Sequence, residues 1–277
     1  TSSFQFAGPE IIAAFPQLIA LLQAQFPGQS LGFGVGRFEE YVQGGNQAAG
    51  FVLQQPIIVD STPNFQTAID AALNRILPSG GSGRDETAFE ALTQIATGSG
   101  FDGNANGTTT ENGPAGLVST QLNGGGSSGD VPAYSTFQSD PTGPVLDPTI
   151  PVTSSTDCVG FRPGAQHLVL LASDAFGFEF GPDGLTTYTG AGGVTVPAST
   201  LLFGAVSSNV AGAATPQATI DRLLVDNIQV ITMGPAFISQ NQPQADAYRA
   251  LAQLSGALNQ TTGNLENNIT PGASPDD

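Results

Sequence analysis

Residues 167–172, His-Leu-Val-Leu-Leu-Ala, form an apolar run that stops at Ser173-Asp174, and no other feature limits the fold as much. Six such residues without polar alternation predict a strand buried on both faces, as in parallel sheets. Parallel neighbours cannot be joined by a tight turn and need a crossover, usually a helix. The remainder of the chain supplies strands and crossovers alike. Ile228-Gln-Val-Ile-Thr-Met233 reads as a second buried strand. Leu31-Gly-Phe-Gly-Val-Gly-Arg-Phe38 reads as a strand whose glycines admit close backbone, and Phe51–Val59, with Pro56 inside it, as an edge strand or hairpin.

Helical periods fill the intervals. Residues 9–26 carry Ile11, Ile12, Phe15, Leu18, Ile19, Leu22 and Phe26 at helical spacing, before Pro27-Gly28 ends the segment. Pro16, Gln17, Gln23 and Gln25 interrupt its apolar character, and it falls short of the ~20 residues a bilayer needs. It therefore reads as a buried helix, and no membrane insertion is expected. Residues 64–77 repeat the pattern through Phe65, Ala68, Ile69, Ala72, Leu73, Ile76 and Leu77. Further helices are expected from about Thr87 to Ala96, from Thr215-Pro216 to about Val225, and from Gln244 to Leu258. Strands alternating with helices predict a doubly wound α/β domain. Its sheet is mostly parallel, with helices on both faces and one antiparallel edge strand, and ligands gather at the carboxyl ends of such strands.

Residues 97–157 depart from this pattern. They are dense in Gly, Asn, Thr, Ser and Pro and bury too little to offset their ordering entropy. They are predicted as a long surface insertion, with room for short strands near Leu117 to Leu122, inside one domain covering residues 1–260. Residues 181–214 read as mixed loop, and 261–277 as a disordered acidic tail or linker.

Charge narrows the function. The chain has 23 Asp plus Glu against six Arg and no Lys, for a formal net charge of −17. Nucleic-acid binding draws its affinity from Lys and Arg releasing counterions, so no nucleic-acid partner is expected. Anionic membrane surfaces are disfavoured for the same reason. Divalent cations suit a carboxylate-rich surface, and solubility is a second use for the acidity. Cys158 is the only cysteine, which excludes an internal disulfide and a cysteine-based zinc cluster. The chain shows no initiator Met and no signal peptide, so a piece of a longer polypeptide is expected. Its Gly, Asn, Thr and Ser content suits a secreted or cell-surface protein.

Enzymatic motifs are missing. The single histidine, His167, opens an apolar strand and reads as structural. No Gly-x-Ser-x-Gly elbow occurs, and Gly80-Gly-Ser-Gly lacks the Lys of a phosphate-binding loop. Gly32-Phe-Gly-Val-Gly36 lies within a strand instead of at a strand-to-helix turn, which argues against a dinucleotide site.

Oxygen ligands gather at Ser173-Asp174, at Asp85-Glu86 and at Thr1-Ser2-Ser3. Each has an ordinary explanation: a turn or capping aspartate, acids at a helix start, a polar terminus. Their setting is more specific. Arg84-Asp-Glu-Thr-Ala-Phe-Glu-Ala-Leu-Thr-Gln-Ile-Ala96 is an acidic loop leading into a helix. Cys158-Val-Gly-Phe-Arg162 precedes the strand that ends in Ser173-Asp174-Ala175, and Asp226-Asn-Ile-Gln-Val-Ile231 forms a helix-to-strand junction. In this order the segments resemble the integrin β-subunit type of the von Willebrand factor A domain, over residues 1–96 and 158–255.

The resemblance implies a metal-dependent adhesion module, not an enzyme. One ion, or two, of Mg²⁺ (or Mn²⁺ or Ca²⁺) would sit above the sheet, held by an Asp-x-Ser-x-Ser loop, a Glu and an Asp. By position Glu86 matches the Glu and Asp174 the Asp. The loop's own Asp is not in this chain. Were it two residues before Thr1, Thr1 and Ser3 would take the hydroxyl positions. Were it one residue before, Ser2 would match and Phe4 would break the set, so the first register is favoured. Without that Asp the chain is expected to hold metal weakly or not at all. Glu40 and Asp85 are candidate accessory ligands, although Gly81 and Gly83 stand where the family places polar ligands. The implied partner is a protein ligand offering an acidic side chain to the ion's open position. The alternative is a surface structural domain of this fold that makes no use of metal.

Overall fold

A computed structural model of the chain describes residues 4–41, 50–74, 85–109, 129–131, 133, 159–173, 177–233 and 242–258. Helix α1 (Phe4–Gln25) starts earlier than its periodicity suggests and runs through Pro9 and Pro16. It is not a buried helix. Among its described side chains only Ile19 is fully buried, and Leu21 is 67% exposed. Ile12, Phe15 and Ile19 form a single stripe that packs onto a small core with α2 (Phe65–Asn74). One covered stripe is the usual state of a surface helix.

That core lies over an antiparallel pair, β1 (Gly32–Arg37) and β2 (Val52–Val59), registered from Gly32 opposite Val59 to Arg37 opposite Val52. The β1 glycines permit the close approach the sequence suggests: a Cβ at Gly36 would lie 2.6 Å from the Phe51 ring. Pro56 is accommodated in β2, and the next residue, Ile57, donates its N–H outward to the Val159 carbonyl at 2.9 Å.

The main core is built around parallel pairs. A two-residue strand, β3 (Asp85–Glu86), leads into helix α3 (Ala88–Thr97). Then follow β4 (His167–Ala172), β5 (Gly177–Phe180), β6 (Thr187–Thr189), β7 (Thr195–Pro197), α4 (Ala198–Leu201) and β8 (Val206–Ser207). Helix α5 (Pro216–Val225), β9 (Ile228–Met233) and α6 (Gln242–Leu254) complete the described elements. Strand β5 lies between β3 and β8, parallel to both, and β4 runs parallel to β9 with His167 opposite Ile228 and Ala172 opposite Met233. Strands β6 and β7 form a short antiparallel pair in a region predicted as loop.

The fold is thus mixed α/β with parallel sheets, and its hydrogen bonding among the described residues falls into small separate sheets. Two expectations are corrected. Strand β4 is not buried on both faces: Val169 and Leu171 enter the core, while Leu168 and Leu170 are 39% and 41% exposed. Helices α5 and α6 cover one face of the β4–β9 pair through Ile220, Leu223, Tyr248, Leu251 and Leu254. With one face covered, burial alternates along the strand even where hydrophobicity does not. The second correction concerns the predicted surface insertion. Phe101 and Val131 form an antiparallel bridge and are buried with Tyr41, Phe51 and Leu53 in a core of their own. The Gly80 loop, residues 117–122 and Cys158 lie outside the described residues. Among the described residues no helix is long and apolar enough to cross a membrane.

Candidate metal centre

Glu86 closes β3, where Asp85 pairs with Gly177 and Glu86 with Phe178. Asp85-Glu86 is therefore a strand end and not the helix start expected from the sequence. Helix α3 begins one residue beyond Thr87, whose side chain makes no capping bond. The Thr87 amide donates to the Glu39 carbonyl at 2.8 Å. Its hydroxyl lies 2.6 Å from that same carbonyl and 2.7 Å from the Gly50 carbonyl. This fully buried contact lays the Glu39-Glu40 stretch beside Glu86.

Removing it should be costly. Thr87→Val leaves buried carbonyls without their hydroxyl donor and is expected to destabilise the protein by about 1–3 kcal/mol. Thr87→Ser should retain most of the stability, and urea unfolding of the two variants measures the difference.

Three acidic residues lie on segments next to this contact: Glu86 precedes Thr87, Glu40 follows Glu39, and Glu179 stands on β5, where the pairing of Glu86 with Phe178 sets Glu86 and Glu179 on opposite faces. Glu86, Glu40 and Glu179 are all buried. The Glu179 carboxylate, on β5, accepts from the Tyr41 amide at 3.2 Å, directly after Glu40. Ser173 follows β4, held by its amide on the Met233 carbonyl at 3.2 Å, and its hydroxyl donates to Glu86 Oε2 at 3.4 Å. The end of β3 and the turn after β4 thus meet although the strands belong to different sheets. Of the residues singled out in the sequence, Glu86 and Glu40 are brought to this place. Asp85 is placed by its backbone in β3, with its side chain outside the described set, and Thr1, Ser3 and Asp174 lie outside the described residues.

Glu179 was not found by sequence reasoning. The local pattern gives no signal for it: on a strand an acid between Phe178 and Phe180 points to the face opposite the two rings, where it is ordinarily solvated. The neighbouring Arg37–Glu39 pair, 2.6 Å apart, is equally buried. Burial pushes the Arg37 guanidinium below its usual range, against the pull of the Glu39 charge. Glu39 Oε2 is a buried oxygen with no hydrogen-bond partner among the described residues.

A second acid lies deeper. Glu90, on α3, accepts from the Tyr41 hydroxyl at 2.8 Å, Gln94 Nε2 at 2.8 Å and the Ala214 amide at 3.2 Å. Burial drives its carboxyl above the ordinary range despite these three donors. The Tyr41 phenol is pushed up in turn, by burial first and by the Glu90 charge second.

His167 is engaged on both ring nitrogens by main chain, Nδ1 with the Asp226 carbonyl at 2.8 Å and Nε2 with the Arg162 carbonyl at 2.9 Å. Its ring stacks on Phe161, with centroids 4.4 Å apart. These contacts brace the start of β4 far from the Glu86 end.

Carboxylates and a hydroxyl are hard oxygen donors, the class that Mg²⁺, Mn²⁺ and Ca²⁺ take. Among the described residues no group of three or more His, Cys, Asp and Glu is close enough to hold an ion. Comparisons with protein-family models, with curated proteins and with solved structures give no match to the chain.

Proposed function

We propose that this chain is a metal-dependent recognition module of the von Willebrand factor A type, exposed outside the cell and built on a doubly wound sheet. A divalent cation sits between Glu86 and Asp174, with Thr1 and Ser3 as hydroxyl ligands. Glu40 and Asp85 belong to its surroundings, where they could take a second ion. The ion keeps one position open for the acidic side chain of a protein partner. The observation that carries this reading is the contact of Ser173 with Glu86, which draws the carboxyl end of β4 to the end of β3. A carboxylate and a hydroxyl side by side are hard oxygen donors, the kind that a divalent cation takes. The exclusion of nucleic acid and of catalysis rests on the acidic surface and the missing motifs.

The test is calorimetric titration of Mg²⁺, Mn²⁺ and Ca²⁺ into the polypeptide extended upstream of Thr1 by its natural sequence. The expected result is stoichiometric Mg²⁺ or Mn²⁺ binding that Asp174→Ala abolishes and Glu86→Gln weakens at least tenfold. Unchanged binding in both variants would remove the ion from this place. Absence of Mg²⁺ and Mn²⁺ binding in the parent would leave a structural surface domain as the reading.

A further inference from the structure

Strands β1–β2 and β4–β9 belong to separate sheets, and residues 159–162 form a strap tied to both. The Val159 carbonyl accepts the Ile57 amide of β2 at 2.9 Å. The Arg162 guanidinium reaches Ser30, just before β1, at 2.9 Å from its hydroxyl and 2.6 Å from its carbonyl. Between them Phe161 packs against the main core and against the core of Tyr41, Phe51 and Leu53. The strap's hold on the other pair is His167, the first residue of β4.

Both ring nitrogens of His167 meet main-chain carbonyl oxygens, Nδ1 that of Asp226 and Nε2 that of Arg162. A carbonyl oxygen only accepts. The neutral imidazole has one N–H and one lone pair, so it can serve one of these oxygens and sets its lone pair against the other. The imidazolium has two N–H groups and serves both. The Phe161 ring, stacked on the imidazole, offers the π-face that attracts a cation. Among the described residues, the Asp226 carboxylate at the junction of α5 and β9 lies close enough to interact with the ring's charge. Arg222 of α5 is 2.7 Å from that carboxylate, the Arg162 guanidinium is turned to Ser30, and β9 sets the uncharged Ile228 opposite His167.

We propose that His167 is a proton-operated clamp: as the imidazolium it fastens the strap to the β4–β9 pair, and as the neutral ring it releases the Arg162 end. The Asp226 end stays because its backbone is fixed, with the Asp226 amide on the Arg222 carbonyl at 3.1 Å and the Asn227 amide on the Leu224 carbonyl at 3.2 Å. Arg162 instead leads into an exposed turn at Pro163-Gly164, where Gly164 has φ 75°. The neutral ring therefore keeps its Nδ1–H on Asp226 and turns a lone pair toward Arg162. Two bonds from the cation against one from the neutral ring mean that the clamped state favours the proton. Its contribution is full at acidic pH and is lost as pH rises through the range where histidine changes charge.

The test is nitrogen NMR of the imidazole in the full chain, from about pH 5 to about pH 9, a range that spans histidine's charge change. His167 is the only histidine, so its two ring nitrogens are read directly. The clamp predicts a proton on both at the acidic end, and loss of the Nε2 proton with retention of the Nδ1 proton at the alkaline end. Nuclear Overhauser contacts from the ring to Arg162 should weaken in the same titration, while those to Asp226 persist. In urea unfolding, the folding constant of the parent relative to His167→Gln should fall about five- to tenfold over this range, the worth of one hydrogen bond. One ring proton at every pH, or two at every pH, would overturn the clamp. So would a titration that leaves the contacts to Arg162 intact, or loss of the Nδ1 proton in place of the Nε2 proton. The NMR measurement uses the parent chain alone and does not depend on the variant's folding.

Discussion

Phe89→Ala is expected to lower stability by about 3–5 kcal/mol, a large part of the about 5–15 kcal/mol that a folded domain possesses. Phe89 is fully buried on α3 and meets the edge of Phe178 on β5 at a centroid distance of 5.5 Å. Phe178 in turn lies 5.3 Å from Tyr248 on α6. This row of three rings joins two helices through a parallel strand, and deleting its first member leaves a cavity that rigid neighbours can only partly fill. Phe89→Leu should cost markedly less because much of the volume is kept. Urea unfolding of both variants measures the effect. A loss below about 1 kcal/mol for Phe89→Ala would mean that α3 does not pack over β5 as described.

The second large effect concerns Glu90. Glu90→Ala removes the acceptor for the Tyr41 hydroxyl and Gln94 and one acceptor for the Ala214 amide, which Tyr41 also receives. At about 1–3 kcal/mol for each buried group left unsatisfied, a loss on the order of 3 kcal/mol or more is expected. Glu90→Gln preserves an acceptor oxygen and should cost much less.

The two forms also differ in pH dependence. Because burial raises the folded carboxyl above its unfolded value, the folded state holds a proton that the unfolded state has released at intermediate pH. The stabilisation is fully present below the unfolded value of about 4.3 and is lost as pH rises through the raised folded value. The groups facing Glu90 are Tyr41, Gln94 and the Ala214 amide, with the Glu179 carboxylate on the far side of Tyr41. The stability of the parent relative to Glu90→Gln should therefore fall from pH 5 upward. A difference that stays flat, or rises with pH, would contradict a buried proton on Glu90.

The elements were largely legible because the periods were clear. Phe65, Ala68, Ile69, Ala72 and Leu73 all enter the core as their helical spacing requires, and the β4 and β9 segments pair as parallel strands. Three things were hidden for physical reasons. The hydrophobicity of Leu168 and Leu170 does not reveal that one sheet face lacks a cover among the described residues. Strand β3 is two residues long, too short for any period, and exists because β5 lies beside it. Phe101 and Val131 sit in a polar stretch and carry no pattern of their own, yet they find each other and join the core.

The site was legible in part. Glu86 and Ser173-Asp174 could be named because acids after a glycine-rich loop and after an apolar strand are visible as breaks in pattern. The burial of Glu40, Glu90 and Glu179 could not, since burial of an acid depends on donors from distant segments, such as Tyr41 and Ala214 around Glu90.

The most direct test of the proposed metal centre is a crystal structure of the upstream-extended polypeptide grown with Mn²⁺, recorded at an energy where manganese scatters anomalously. The account predicts an anomalous peak within about 2–2.5 Å of carboxylate oxygens of both Glu86 and Asp174, the range of hard-cation bonds to oxygen. A structure with no peak there, at saturating Mn²⁺ and with both carboxylates in density, would contradict it.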